Sequence, residues 1–144
     1  MAKVHLVWKD RAPVTTDVGI AIAATTTFAD YPEALDVLFV PGGLKGSVAC
    51  MEDAEGLDFL AARGARARYV TSVCTGGLVL GAAGLLKGYR ATAHWYVRDY
   101  LALMGATVDI RRQNPRESTL VMGGSAHEFG DFQARQGLTM MYRR

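Results

Sequence analysis

The chain has few residues suited to metal or disulfide chemistry. Its 144 residues include two cysteines and three histidines. Cys50 and Cys74 stand at unlike positions, with neither the spacing of a metal site nor a disulfide framework, which suits a reduced compartment. No apolar run approaches the ~18 residues needed to span a bilayer. Met1-Ala-Lys-Val-His5 carries one basic residue and no apolar h-region, so no secretory leader is expected there. The formal charge of +2, with both signs mixed, argues against a nucleic-acid tract or a membrane-binding patch. There is no internal repeat and no low-complexity segment. Half of the residues are hydrophobic, and the length suits one domain with a real core, residues 1–144.

The most informative stretch is Tyr69-Val-Thr-Ser-Val-Cys74-Thr-Gly-Gly-Leu-Val-Leu-Gly-Ala-Ala83. Tyr69 to Val73 is β-branched and aromatic, as in a buried strand, and Cys74 follows without a linker. Gly76, Gly77 and the small apolar residues after them fit a helix packed closely on a sheet and closing at Gly84. Strand, sharp turn and helix with a nucleophile-type side chain at the apex make a nucleophile elbow. The first-turn amides and partial positive charge of such a helix stabilise a thiolate. The competing reading of Cys74, from the pattern alone, is a small buried hydrophobe.

The other elements are read more briefly. Val4 to Trp8 is a candidate first strand, Lys9 to Pro13 a turn, and Val18 to Ile22 another strand. Asp36 to Val40 is nearly unbroken apolar, as in a central parallel strand covered on both faces. It ends in Pro41-Gly42-Gly43, whose backbone can approach a ligand closely. The pattern predicts a helix from Met51 to about Arg63, a strand beginning at Ala91-Thr92 and a helix from Trp95 to Met104 capped by Gly105. Thr107 to Ile110 and Thr119 to Met122 are further strand candidates, while Phe129 to Arg144 has poor helical periodicity. Strands alternating with helices, joined by glycine-rich loops, argue for an α/β fold with a doubly wound, mostly parallel sheet and helices on both faces. In such sheets ligands collect at the carboxyl ends of the strands, where Pro41-Gly42-Gly43 and Cys74 both fall.

The run from Val70 through Cys74 to Ala91-Thr-Ala-His94-Trp95, with Asp36-Val-Leu-Phe-Val-Pro-Gly-Gly43, resembles the DJ-1/PfpI superfamily, which has the class I glutamine amidotransferase-like fold. Within it the chain is most similar to the isonitrile hydratases. The likeness covers about residues 4–106, and residues 107–144 diverge.

The resemblance implies that Cys74 is the family's reactive cysteine, and that the amides of Gly43 and Thr75 hold charge developing in the reaction. It also implies that Thr75 hydrogen-bonds the family's acid or a bound water. Gly42, Gly76 and His94 are expected around the substrate, with His94 shuttling a proton or tuning the thiol, against the competing reading of a partly buried structural histidine. The PfpI-type proteases carry a histidine directly after the cysteine. Thr75 stands there instead, which argues against protease chemistry.

The expected activity is addition of water to an isonitrile, giving an N-substituted formamide, by a cytoplasmic homodimer acting on a small molecule without metal or organic cofactor. The chain reads as beginning at the family's second strand, without the first strand and its acidic loop, so an inactive remnant is a competing reading. Asp17 does not take the acid's place, since it follows Pro13 in a turn. His5, His127 and Asp99 carry no motif, and Arg63, Arg66 and Arg68 fit a solvated helix end. Glyoxalase-type chemistry, also known in the superfamily, depends on the same acid. The non-enzymatic alternative is an effector-binding or thiol-sensing domain, related to the amino-terminal half of AraC-type regulators.

Overall fold

A computed structural model describes residues 3–16, 18–31 and 35–109, together with the strands Thr119–Met122 and Met140–Met141. The chain forms two compact units, Met1–Glu33 and Ala34–Arg144.

In the first unit β1 (Val7–Trp8) pairs in parallel with β4 (Thr26–Thr27). The hairpin strands β2 (Val14–Thr15) and β3 (Ala21–Ile22) pair antiparallel, and Gly19 takes the positive φ of 82° in the turn. The expected strands Val4–Trp8 and Val18–Ile22 are thus reduced to two residues each. Val4 and Val18 are 79% and 77% exposed, so neither gains the packing that makes a β-branched residue favour a strand.

The second unit is built on β5 (Val37–Val40) and β6 (Tyr69–Val73), parallel and in register from Val37↔Tyr69 to Val40↔Ser72. Leu38, Val40, Val70 and Ser72 are buried on one face. Val37 and Phe39 point the other way and are each 53% exposed. The expectation of a strand covered on both faces therefore holds for one face of β5. On the far side of β6, β9 (Thr119–Met122) pairs antiparallel, and β10 (Met140–Met141) adds in parallel to β9. Strand direction depends on the connection and not on the apolar run, which is why the run at 119–122 announced a strand but not its orientation. A separate parallel pair joins β7 (Arg90–Ala91) to β8 (Thr107–Val108).

The expected helix from Met51 to Arg63 corresponds to α2 (Ala54–Gly64), and a further helix that was not expected, α1 (Leu44–Met51), precedes it. Asp53 between them is extended, at φ −96° and ψ 94°, and starts α2 afresh. Glu55 in the first turn and Arg63 in the last complement the helix dipole. The elbow helix α3 (Gly76–Ala82) is buried from Gly76 through Gly81 and ends before Gly84 at φ 76°. Between Trp95 and Met104 the chain runs in turns closed by bonds such as Val97 N–H to His94 O, and of these residues only Tyr100–Leu103 form a helix, α4. Gly105, at φ 83°, ends it as expected. The core joins Leu38, Val40 and Val70 to Leu78, Val79, Leu80, Leu86, Val97 and Leu101, and so fastens α3 to the sheet beneath the elbow.

Candidate active site

The sharpest backbone feature lies where β6 meets α3. Cys74 has φ 53°, the only positive φ of a non-glycine among the described residues. An L-residue pays roughly 1–2 kcal/mol to stand in this left-handed region, and packing on either side holds it there. The turn lifts a half-buried thiol from the strand end to the threshold of the helix.

Two glycines make room for it. A Cβ on Gly42 would lie 2.7 Å from Cys74 Cβ, so the loop after β5 passes directly against Cys74. A Cβ on Gly76 would lie 2.6 Å from the carbonyl oxygens of both Val40 and Pro41. Gly76 therefore lets the start of α3 rest on the end of β5. The two loops expected to converge do so.

Thr75 caps α3 without a side-chain bond to its own helix. Its Oγ1 accepts a hydrogen bond from the Gly43 N–H at 3.0 Å and lies 2.8 Å from Ser47 Oγ. The Gly43 amide, expected to face a developing charge, already donates to Thr75. The Thr75 hydroxyl, expected to meet an acid or a water, is tied to Gly43 and Ser47. The Thr75, Gly76 and Gly77 amides lie in the first turn of α3, where a helix supplies no acceptor of its own. Sequence reading missed Ser47. The available signal was a small polar residue four positions after Gly43, where a helix following a glycine loop turns back toward that loop.

His94 is brought to the elbow through its backbone, its N–H donating to Cys74 O at 3.2 Å. Its Nδ1 accepts the Tyr96 N–H at 3.3 Å, so the bonding assigns the proton of the neutral ring to Nε2. Trp95 stands beside it, with ring centroids 5.5 Å apart.

Asp99 is exposed and pairs with Arg98 at 3.0 Å. His5 meets Tyr31 edge-on within the first unit. Arg63 and Arg68 lie over the rings of Phe59 and Tyr69 at 5.4 and 5.1 Å. Cys50 is half-buried in the last turn of α1, against the core. Asp17, His127 and most of residues 107–144 fall outside the described residues. Among the described residues, no three of His, Cys, Asp or Glu are grouped to hold a metal, and no helix is long and apolar enough to cross a membrane.

Comparison with known proteins fits this geometry. Over 130 residues the chain is 52% identical to an isonitrile hydratase of Pseudomonas putida, covering 90% of this chain and 56% of that protein. A crystal structure of a ThiJ/PfpI family protein from Pseudomonas syringae superposes with a TM-score of 0.74 at 53% identity, covering 81% of this chain and 49% of that one. The chain thus spans about half the length of both relatives. The HTH-type transcriptional regulator GbdR of Pseudomonas aeruginosa is 33% identical over 90 residues, which is 62% of this chain and 22% of the regulator. The profile of the DJ-1/PfpI family matches residues 1–122, a span containing the glycine loop, the elbow and His94. The chain belongs to the DJ-1/PfpI family.

Proposed function

We propose that this chain carries the cysteine site of an isonitrile hydratase, adding water to an isonitrile to give an N-substituted formamide. The observation that carries the reading is Cys74 at φ 53°, held between β6 and α3 with Gly42 against it. The 52% identity to the P. putida hydratase supports an isonitrile as the substrate class.

In this mechanism the Cys74 thiolate bonds to the terminal isonitrile carbon. That carbon takes a proton and becomes a thioimidate. Water then adds across the carbon–nitrogen double bond, placing hydroxyl on carbon and a proton on nitrogen. Collapse of the adduct breaks the carbon–sulfur bond, returns the thiolate and releases the formamide and a proton. The amides in the first turn of α3, directly after Cys74 in the chain, are the donors for charge that develops in the reaction. His94, joined to Cys74 through its backbone, is the proton carrier in this reading, through Nε2–H. The reading takes the chain as a cytoplasmic homodimer acting on a small molecule without a cofactor.

The test is formamide production from an alkyl isonitrile, followed by NMR. Cys74→Ala and Cys74→Ser are expected to abolish it, and Cys50→Ser to retain it. Equal turnover by the Cys74 variants overturns the assignment. The likeness to GbdR favours a second reading, an effector-binding domain. Saturable isonitrile binding without formamide would decide for that reading.

A further inference from the structure

Gly43, Ser47 and Thr75 form a closed ring beside the nucleophile. The Ser47 N–H donates to Gly43 O at 2.7 Å, the Gly43 N–H donates to Thr75 Oγ1 at 3.0 Å, and Thr75 Oγ1 lies 2.8 Å from Ser47 Oγ. Gly43 is therefore gripped at both its carbonyl and its amide. A threonine at a helix N-cap ordinarily turns its hydroxyl back to an amide of its own first turn. Thr75 makes no such bond and reaches residues 32 and 28 positions away in the chain. Ser47 and Thr75 are 4% and 6% exposed, so solvent offers neither hydroxyl a ready substitute partner. Next to the ring, Gly42 lies so near Cys74 that a side chain there would meet Cys74 Cβ.

We propose that Ser47 is a positioning residue for the cysteine site: its hydroxyl fixes Thr75 Oγ1, which holds the Gly43 amide and so sets the Pro41–Gly43 loop against Cys74. Its bearing on turnover rests on the hydratase reading, but the linkage itself does not. With the ring intact, the loop stays closed over the nucleophile and its backbone is held ready for the substrate. Without the Ser47 hydroxyl, Thr75 has one anchor fewer and the loop loosens at Gly43. The signature is specific: a small alkylating reagent reaches Cys74 more easily, while hydration, which needs the loop in place, slows.

The experiment compares the unmodified chain with Ser47→Ala, Ser47→Thr, Thr75→Val and the Ser47→Ala/Thr75→Val double variant. Amide exchange at Gly43 and the iodoacetamide labelling rates of Cys74 and Cys50 are followed by mass spectrometry, alongside the kcat and KM of isonitrile hydration. Gly43 exchange should be slowed in the unmodified chain and about tenfold faster in Ser47→Ala, the scale of one buried hydrogen bond. Cys74 labelling should rise severalfold with Cys50 unchanged, and kcat should fall with little change in KM. Ser47→Thr, which keeps a hydroxyl, should restore the unmodified behaviour. In the Thr75→Val background Ser47→Ala should add little.

Unchanged Gly43 exchange and Cys74 labelling in Ser47→Ala overturn the proposal. So does an unprotected Gly43 amide in the unmodified chain, a measurement that needs no variant to fold. A full additional effect of Ser47→Ala in the double variant also overturns it, because Ser47 would then not act through Thr75. Absence of hydration in every protein, the unmodified one included, overturns the hydratase reading and leaves exchange and labelling to decide this one.

Discussion

Gly76→Ala puts a methyl group where the structure has two backbone oxygens. The new Cβ would lie 2.6 Å from Val40 O and Pro41 O, far inside the ~3.5 Å of ordinary contact. Neither oxygen can rotate away, since both belong to the end of β5 and the loop that follows. The start of α3 must lift from the sheet, at the cost of overpacking, roughly 1–3 kcal/mol. Removing a glycine from a helix returns at most about 1 kcal/mol, and less in its first turn. Gly46→Ala is the matched control. Gly46 lies within α1 with nothing within 4 Å of the Cβ position, so alanine there should stabilise by about 0.5–1 kcal/mol. The two substitutions, identical in chemistry, should differ by about 2–3 kcal/mol. Urea unfolding followed by far-UV circular dichroism should place their midpoints at least about 1 M apart. Gly76→Ala should also disturb the Cys74 labelling rate, and Gly46→Ala should not. Equal midpoints for the two alanine variants would refute the close approach of α3 to β5.

Two further predictions concern strain and anchoring. Cys74→Gly should be more stable than Cys74→Ala by about 0.5–1 kcal/mol, the left-handed strain relieved less the extra freedom glycine gives the unfolded chain. Equal stability of the two in urea would mean that Cys74 is not held at positive φ. Arg90 pairs with Asp109, whose N–H also donates to Ala91 O at 2.8 Å, tying the segment after β8 to β7. Asp109→Ala should cost about 1 kcal/mol, with a smaller loss in high salt, and a midpoint unchanged from the unmodified chain would show the pair to be ornamental.

The residues that could be read directly were those whose chemistry has few structural uses. A β-branched run, a cysteine with no linker and a glycine-rich apolar segment left little but strand, elbow and helix, because side-chain sterics act over only a few residues. Gly84 and Gly105 ended their helices as read, since each takes a positive φ that a side chain would resist. Less was legible where an element depends on its neighbours. The break at Asp53, the turns from Trp95 to Asp99 and the shortened strands at the exposed Val4 and Val18 carry no signal in the local pattern. The exposed face of β5 is of the same kind.

By itself, then, the sequence determined the α/β class, the elbow and the convergence of two glycine loops, because each rests on local sterics and on periodicity. The tertiary structure alone decided where the hydrogen bonds of those loops go. It gave the Gly43 amide to Thr75, and Thr75 to Ser47, across 32 and 28 residues of chain. No local pattern records such a pairing, since the competition for a buried amide is settled only when distant hydroxyls are packed beside it.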